Sequence, residues 1–432
     1  MRTSSTEPAA TTAATNKRVL IASLMGSSIE WFDYFLYATT AALVFGKVFF
    51  PTADPVVGLM LSYLTFSLTF FVRPLGGFIF SHIGDRIGRK KTLVITLSLM
   101  GGATVLIGLL PGYAQIGIWA PILLIVLRLV QGLGIGGEWG GALLLAYEYA
   151  PKNRKGLFGS VPQMGVTIGM VLATLSITLM STLPDEEFLA WGWRVPFLLS
   201  AVLVFLGLWI RKGIDETPAF KQAKASGNVA KIPLVETLRY HWRAVLVAVA
   251  IKFVETAPFY IFSTFIVSYG TASLGFERIS VLNAVTIATL LTTVMIPIMG
   301  RLSDSIGRKR MFVAGTLVMA AFTFPYFMLL EQRTMTSLVI ATVIGLGLVW
   351  APITAVLGTL FSEIFSTRVR YTGITLGYQI GAALAGGTAP LLATWLLNKY
   401  NGSWVPVAWY ILGTAVISLI GIAFAKTVAD ND

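Results

Sequence analysis

Apolar stretches of roughly 20 residues, each long enough to cross the ~30 Å core of a bilayer as a helix, recur along the whole chain. Short polar segments separate them, and no alternating strand pattern competes. Twelve helices are predicted, near residues 18–46, 56–81, 92–110, 118–147, 157–182, 194–211, 243–270, 280–300, 311–330, 335–361, 371–397 and 404–425. The one long polar interruption, residues 212–242, carries Lys221, Lys224, Gly227, Lys231 and Pro233 and reads as a solvated linker. The expected fold class is an all-α membrane protein with two six-helix bundles, at 17–211 and 243–426. Tails at 1–16 and 427–432 flank them. The first is Ala- and Thr-rich, lacks the basic-then-apolar order of a signal peptide, and reads as disordered.

Seven ionisable side chains interrupt the apolar runs: Glu30, Asp33, Arg73, Arg128, Glu138, Lys252 and Glu255. Even on lenient insertion scales, Asp, Lys or Arg at a helix centre costs about 2.5–3.5 kcal/mol. Such groups therefore face a bundle interior or a water-filled path, and pair with one another. Counting a rise of about 1.5 Å per residue from each helix centre puts Glu30 and Asp33 near the midplane. Arg128 then lies about 7 Å to the external side, and Arg73 and Glu138 about 7 Å to the internal side. Matched depths suggest Asp33 with Arg128, and Arg73 with Glu138 or Glu30.

Composition agrees: 56% of the 432 residues are hydrophobic and 12% charged, against about 25% charged in a soluble domain. The net charge of +12 would suggest nucleic acid in a soluble protein, but its distribution gives another reason. With the N-terminus cytoplasmic, 24 of the 32 Lys and Arg residues fall in cytoplasmic tails and loops. Five (Lys47, Arg194, Arg278, Arg333, Lys399) fall in external loops, and three in the membrane. That asymmetry places both termini in the cytoplasm, and no nucleic-acid partner is expected. The lack of cysteine removes disulfides, thiolate metal sites and Cys nucleophiles. His82 and His241 lie in or beside cytoplasmic loops with no third ligand, so no metal and no catalytic residue is assigned. Trp191, Trp193 and Trp404, near external helix ends, fit an interfacial aromatic belt.

The halves repeat each other. Asp85-Arg86-Ile87-Gly88-Arg89-Lys90-Lys91, after the second helix, matches Asp304-Ser305-Ile306-Gly307-Arg308-Lys309-Arg310, after the eighth, 219 positions on. Glu148 lies six residues before Arg154 and seven before Lys155, and Glu363, 215 positions after Glu148, lies seven before Arg370; Gln163-Met164-Gly165 matches Gln379-Ile380-Gly381 at 216. Parallel repeats of this kind place a binding site between the halves near the midplane, reached alternately from each side.

The repeated loop resembles the cytoplasmic signature of the major facilitator superfamily. Arg128-Leu129-Val130-Gln131-Gly132-Leu133-Gly134 resembles its fourth-helix proton-coupling motif. Glu30-Trp31-Phe32-Asp33-Tyr34, Arg73-Pro74-Leu75-Gly76-Gly77 and Gly136-Gly137-Glu138-Trp139-Gly140-Gly141 are similar to the bacterial metabolite:proton symporters. That group includes shikimate, dicarboxylate, citrate and proline/betaine carriers. Ser81 departs from the superfamily loop, which usually has Gly there. The resemblance covers nearly the whole chain and implies the major facilitator fold, the bacterial inner membrane, and protons as coupling ion with no other cofactor. It implies a carrier that works as a monomer in the lipid bilayer, and it does not identify the solute.

Asp85, Arg89, Glu148, Asp304, Arg308, Glu363 and Arg370 are expected to form a cytoplasmic gate. Acids at helix ends can accept hydrogen bonds from neighbouring helix N-termini and pair with Arg across the seam; the plainer alternative is loops that only set topology. Asp33, Arg128, Glu30, Glu138 and Arg73 are expected to couple protons. Burial disfavours an ionised carboxylate and a nearby Arg favours it, so drawing that Arg toward an anionic solute changes proton affinity. Static ion pairs between helices are the alternative. Candidate solute contacts are Arg128, Gln163, Lys252, Glu255, Tyr260, Tyr378 and Gln379. Lys252 and Glu255, three apart on one helix, either pair locally or meet the solute, and Gln163 and Gln379 serve alternatively as interhelical glue beside Gly165 and Gly381.

The expected function is proton-coupled uptake of a small polar metabolite, a carboxylate or other organic acid, by alternating access. A carrier of the zwitterions proline or betaine is the nearest alternative. Some of those bear a long C-terminal extension, whereas this chain ends about seven residues after its last predicted helix, which favours ordinary metabolite uptake. A transport-inactive receptor has no feature in its favour. An intramembrane enzyme is disfavoured by the lack of Cys, of intramembrane His and of a Gly-x-Ser-x-Gly element.

Overall fold

The computed structural model describes residues 9–87, 89–136, 150–212, 234–366 and 369–426, together with Leu143, Ala146 and Tyr147. Its first six long helices are α1 (Ala9–Thr40), α2 (Pro55–Ile87), α3 (Arg89–Leu109), α4 (Trp119–Ile135), α5 (Lys155–Met180) and α6 (Arg194–Lys212). The next are α7 (Trp242–Ser273), α8 (Arg278–Ile306), α9 (Arg308–Glu331), α10 (Met335–Ile364), α11 (Arg370–Ala382 and Ala389–Lys399) and α12 (Val405–Phe424). Among the described residues, nine helices are long and apolar enough to cross a bilayer by length and composition, and Val94–Leu109 and Trp119–Ile135 are shorter apolar ones.

Three local features differ from the sequence reading. The first helix starts at Ala9, inside the stretch expected to be a disordered tail, because Ala9, Ala10, Ala13 and Ala14 are strong helix formers with no breaker among them. A short helix, Leu234–Tyr240, lies within the predicted linker. Trp193 is fully buried against Phe45, Phe49 and Phe197, so it packs the bundle and does not anchor the bilayer interface. Trp191 is 47% exposed.

Polarity runs inside out relative to a soluble protein. Asp33 and Arg128 are fully buried, while Phe205 and Trp209 on α6 face outward at 71% and 67% exposure. Water is absent from a bilayer core, so only the bundle interior can satisfy these charges. The glycines of the two motif segments let α2 and α4 touch. A methyl at Gly76 would sit 2.1 Å from the Leu133 carbonyl oxygen, and one at Gly136 2.0 Å from that of Arg73. This contact fixes the depth of Arg73.

Between the halves, α5 runs along α8 and α2 along α11. Paired hydroxyls join the first seam, Thr174 with Thr286 at 2.9 Å and Thr167 with Thr293 at 2.8 Å. Helices that meet through small hydroxyls slide at little cost, because each such bond is worth only about 0.6 kcal/mol in a membrane.

Candidate functional site

Helices α1, α2, α5, α7, α10 and α11 enclose a central cavity of about 20 Å³, room for roughly one water. Trp31, Phe70, Phe259, Tyr260, Trp350 and Tyr378 supply aromatic walls, and Arg73, Gln163, Lys252 and Glu255 the polar groups. A solute fits only after the walls part.

Arg73 is 1% exposed and stacks over aromatic faces, with Cζ 4.5 Å from the Tyr34 ring centre, 4.7 Å from Phe70 and 5.4 Å from Trp31. Among the described residues it forms no ion pair, and its Nε and Nη2 have no hydrogen-bond partner. Those two nitrogens form one edge of the guanidinium, the edge that takes a carboxylate with two parallel bonds. Two other cavity-lining polar atoms are unpartnered as well, Trp31 Nε1 and Gln163 Oε1.

Lys252 and Glu255, by contrast, satisfy each other. The Lys252 ammonium donates to Glu255 Oε2 and lies 3.8 Å from the Tyr378 ring centre. Glu255 also accepts from Thr256 Oγ1 at 2.7 Å and from Thr354 Oγ1 at 3.1 Å, and its carbonyl accepts from Trp350 Nε1 at 2.5 Å. Thr354 in turn accepts from Gln163 Nε2 at 2.8 Å, joining α5 to α7 through α10.

Arg128 points elsewhere. It donates to the carbonyls of Thr65 (3.4 Å) and Phe66 (3.2 Å) and to Gln131 Oε1, with its Cζ 3.6 Å from the Tyr37 ring centre. The expected direct pair with Asp33 does not form. A chain of neutral groups links the two instead: Gln131 Nε2 donates to Thr104 Oγ1 at 2.8 Å, and Thr104 lies 3.0 Å from Asp33 Oδ2. Backbone carbonyls of α2 hold the guanidinium at a depth the carboxylate does not reach.

Both ends of the seam are closed. On the side of the basic loops, Asp304 accepts from the backbone N–H groups of Gly156 (2.8 Å) and Leu157 (3.3 Å) at the start of α5, and from Arg308 at 2.7 Å. Arg308 also lies 3.4 Å from Glu363, and Arg301 donates to the Asn153 carbonyl at 2.9 Å. On the other side, Arg278 at the start of α8 pairs with Asp185 at 3.0 Å and donates to Ser181 Oγ at 3.0 Å. There Tyr63 of α2 bonds Ser268 of α7 at 2.8 Å, and Ser67 donates to the Gly387 carbonyl of α11.

Residues 19–234 match the family described as sugar (and other) transporter, and residues 253–431 the Major Facilitator Superfamily. The chain is 40% identical over 413 residues to the shikimate transporter of Escherichia coli K12, spanning 95% of this chain and 94% of that one. The chain belongs to the major facilitator superfamily. It is also 41% identical over 414 residues to the E. coli inner membrane metabolite transport protein YhjE (94% and 93% covered). It shares 35% identity over 425 residues with the proline/betaine transporter of Salmonella typhimurium, 95% of this chain and 84% of that one. The fold matches a crystal structure of the D-xylose-proton symporter with TM-score 0.71 at 18% identity, over 95% of this chain and 99% of that one. The protein is thus a twelve-helix, multi-pass facilitator-superfamily transporter of the bacterial inner membrane, and not an enzyme.

Within this fold, Lys252, Glu255, Tyr260, Tyr378 and Gln163 come together at the cavity as expected for solute contacts. Arg128 and Gln379 do not line it; Gln379 Nε2 donates to the Gly136 carbonyl at 3.4 Å, the interhelical role. Of the residues read as a gate, Asp304, Arg308 and Glu363 meet at the basic-loop end of the seam. Arg370, also near it, donates to the Phe365 carbonyl at 3.2 Å and faces the Tyr147 ring at 5.7 Å. Glu30 is buried, at 5% exposure. Glu138 and Glu148, and the side chains of Asp85 and Arg89, lie outside the described residues. The sequence reading missed the external contacts of Tyr63, Ser67, Asp185 and Arg278, because no spacing reveals which helices meet across a seam. It also placed Arg73 only in coupling. The structure puts it on the cavity wall as well.

Proposed function

We propose that the protein is a proton-coupled importer of a small organic acid carrying one carboxylate, working by alternating access. The observation that carries this reading is the unpartnered Nε–Nη2 edge of Arg73 at the central cavity. Lys252 and Glu255 cancel, so the described cavity walls present one net positive charge, matched to a monoanion. The aromatic walls suit a compact ring or short apolar body, and Trp31 Nε1 and Gln163 Oε1 remain for hydroxyls.

Coupling runs through Tyr34, whose ring centre lies 4.5 Å from the Arg73 Cζ and 5.8 Å from that of Arg128. A carboxylate that draws Arg73 off this ring changes the packing around Arg128, and with it the chain to Asp33. Asp33 carries the transported proton. Solute and proton bind from outside, the external contacts close, the Asp304 latch releases, and both leave to the cytoplasm. The carrier returns empty.

Uptake into proteoliposomes is expected to follow an inward proton gradient and to collapse with a protonophore; uptake that required sodium and ignored the proton gradient would remove the coupling reading. Counterflow should be supported by shikimate and by aromatic monocarboxylates, and not by citrate or dicarboxylates. The aromatic walls would also receive a quaternary ammonium, which keeps the proline/betaine reading in play. Betaine counterflow without shikimate counterflow would select it.

A further inference from the structure

Asp33 is fully buried, and its surroundings solve a problem that any carboxylate cycling between protonation states must meet: an acceptor in one state becomes a donor in the other. Thr104 Oγ1 lies 3.0 Å from Asp33 Oδ2 and also 3.0 Å from the Met100 carbonyl of its own helix, yet a hydroxyl has one hydrogen to give. The direction of the third contact is fixed. Gln131 Oε1 accepts from Arg128, so its amide nitrogen must donate to Thr104.

We propose that Thr104 is the positioning residue of the proton-coupling carboxylate, its hydroxyl turning between Asp33 and the Met100 carbonyl as Asp33 loses and gains its proton. With Asp33 ionised, Thr104 donates to Oδ2 and accepts from Gln131. With Asp33 protonated on Oδ2, that oxygen donates to Thr104, which accepts twice and turns its own hydrogen to Met100. Every contact from Arg128 through Gln131 and Thr104 to Asp33 Oδ2 is kept in both states, while Asp33 Oδ1 has no hydrogen-bond partner among the described residues in either, and no heavy atom moves. Because unpaired buried polar groups are costly, a side chain with a rotatable hydroxyl is required here, and a valine of the same shape cannot replace it.

Other ionisable groups near Asp33 are few. Arg128 reaches it only through Gln131, Arg73 lies beyond Tyr34, and Glu30, Tyr34 and Tyr37 share its helix. From α6 the Ser200 hydroxyl faces the carboxylate. The ionisable residues of α3, α5 and α6 sit at the ends of those helices, away from Asp33.

The proposal rests on Asp33 being the coupling carboxylate, and its test needs no solute, so a wrong solute leaves the outcome intact. Infrared difference spectra of the purified full-length protein, titrated in detergent, report the protonated carboxyl stretch of a buried acid. Asp33→Asn should delete one titrating band. Thr104→Val should move the midpoint of that band upward by about one pH unit, because the ionised form loses its donor, and Thr104→Ser should restore it. An unchanged midpoint in Thr104→Val, an equal shift in Thr104→Ser, or no band lost in Asp33→Asn would overturn the proposal. Should Thr104→Val fail to insert, Thr104→Ala carries the same expectation. Failure of both would assign Thr104 to packing and overturn it equally.

Discussion

Replacing Arg73 by methionine is expected to abolish solute binding and, at the same time, to raise the thermal stability of the empty carrier. The guanidinium is buried with Nε and Nη2 unpartnered among the described residues, over the faces of Trp31, Tyr34 and Phe70. A buried charge without its partner costs several kcal/mol, and an apolar side chain of similar length removes that cost. Binding moves the other way. Each hydrogen bond to a charged group is worth about 1.5–3 kcal/mol, so losing the two-bond edge should weaken the solute by about two to four orders of magnitude. Arg73→Lys keeps the charge but presents a point donor without an edge, and should recover only part of the affinity. Unfolding temperature in detergent and counterflow in proteoliposomes read the two effects separately. A variant that melts earlier and still binds would show Arg73 to be a structural staple.

Asp304→Asn is expected to shift the resting carrier toward opening on the cytoplasmic side. The carboxylate of α8 caps the start of α5, accepting from Gly156 and Leu157 while paired with Arg308. It therefore bridges the halves through a helix N-terminus whose partial positive charge favours an anion. Losing about 1.5–3 kcal/mol of charge-assisted bonding, in a protein whose states differ by a few kcal/mol, changes the populations by an order of magnitude or more. The chain has no native cysteine, so one introduced at Val166, which lines the cavity, reports access without background. Gly165 and Gly381 are poor positions for the label, since an added Cβ would come within 2.6 Å of Ser27 and of Lys252 respectively. Labelling from the cytoplasmic side should quicken and labelling from outside should slow. Equal rates in both proteins, from both sides, would leave Asp304 with a topological role alone.

Much of this arrangement could be read from the chain before folding. Helix number follows from apolar runs that must each satisfy their backbone internally in lipid. The internal duplication was legible because Asp304 and Gln379 recur at near-constant offsets from Asp85 and Gln163. Glu255 three residues after Lys252 allowed for a local pair, which the structure forms. Depth along a helix is linear in sequence, so five of the seven intramembrane charges, Glu30, Asp33, Arg73, Arg128 and Glu138, could be assigned an expected level.

Azimuth could not be placed. Which way a side chain turns about its helix depends on the neighbours that helix acquires, and those come from parts of the chain far apart. Asp33 and Arg128 do not touch, because the carbonyls of Thr65 and Phe66 and the ring of Tyr37 hold the guanidinium instead. Arg73 faces the cavity with a bare edge because Trp31, Tyr34 and Phe70 surround it with faces that attract a cation but accept no conventional hydrogen bond. The sequence by itself thus determined the number, order and depth of the helices and the kind of chemistry between them. Only tertiary packing decided which buried charge is satisfied and which keeps an unpartnered edge, since each helix's facing is set by contacts made across the whole chain.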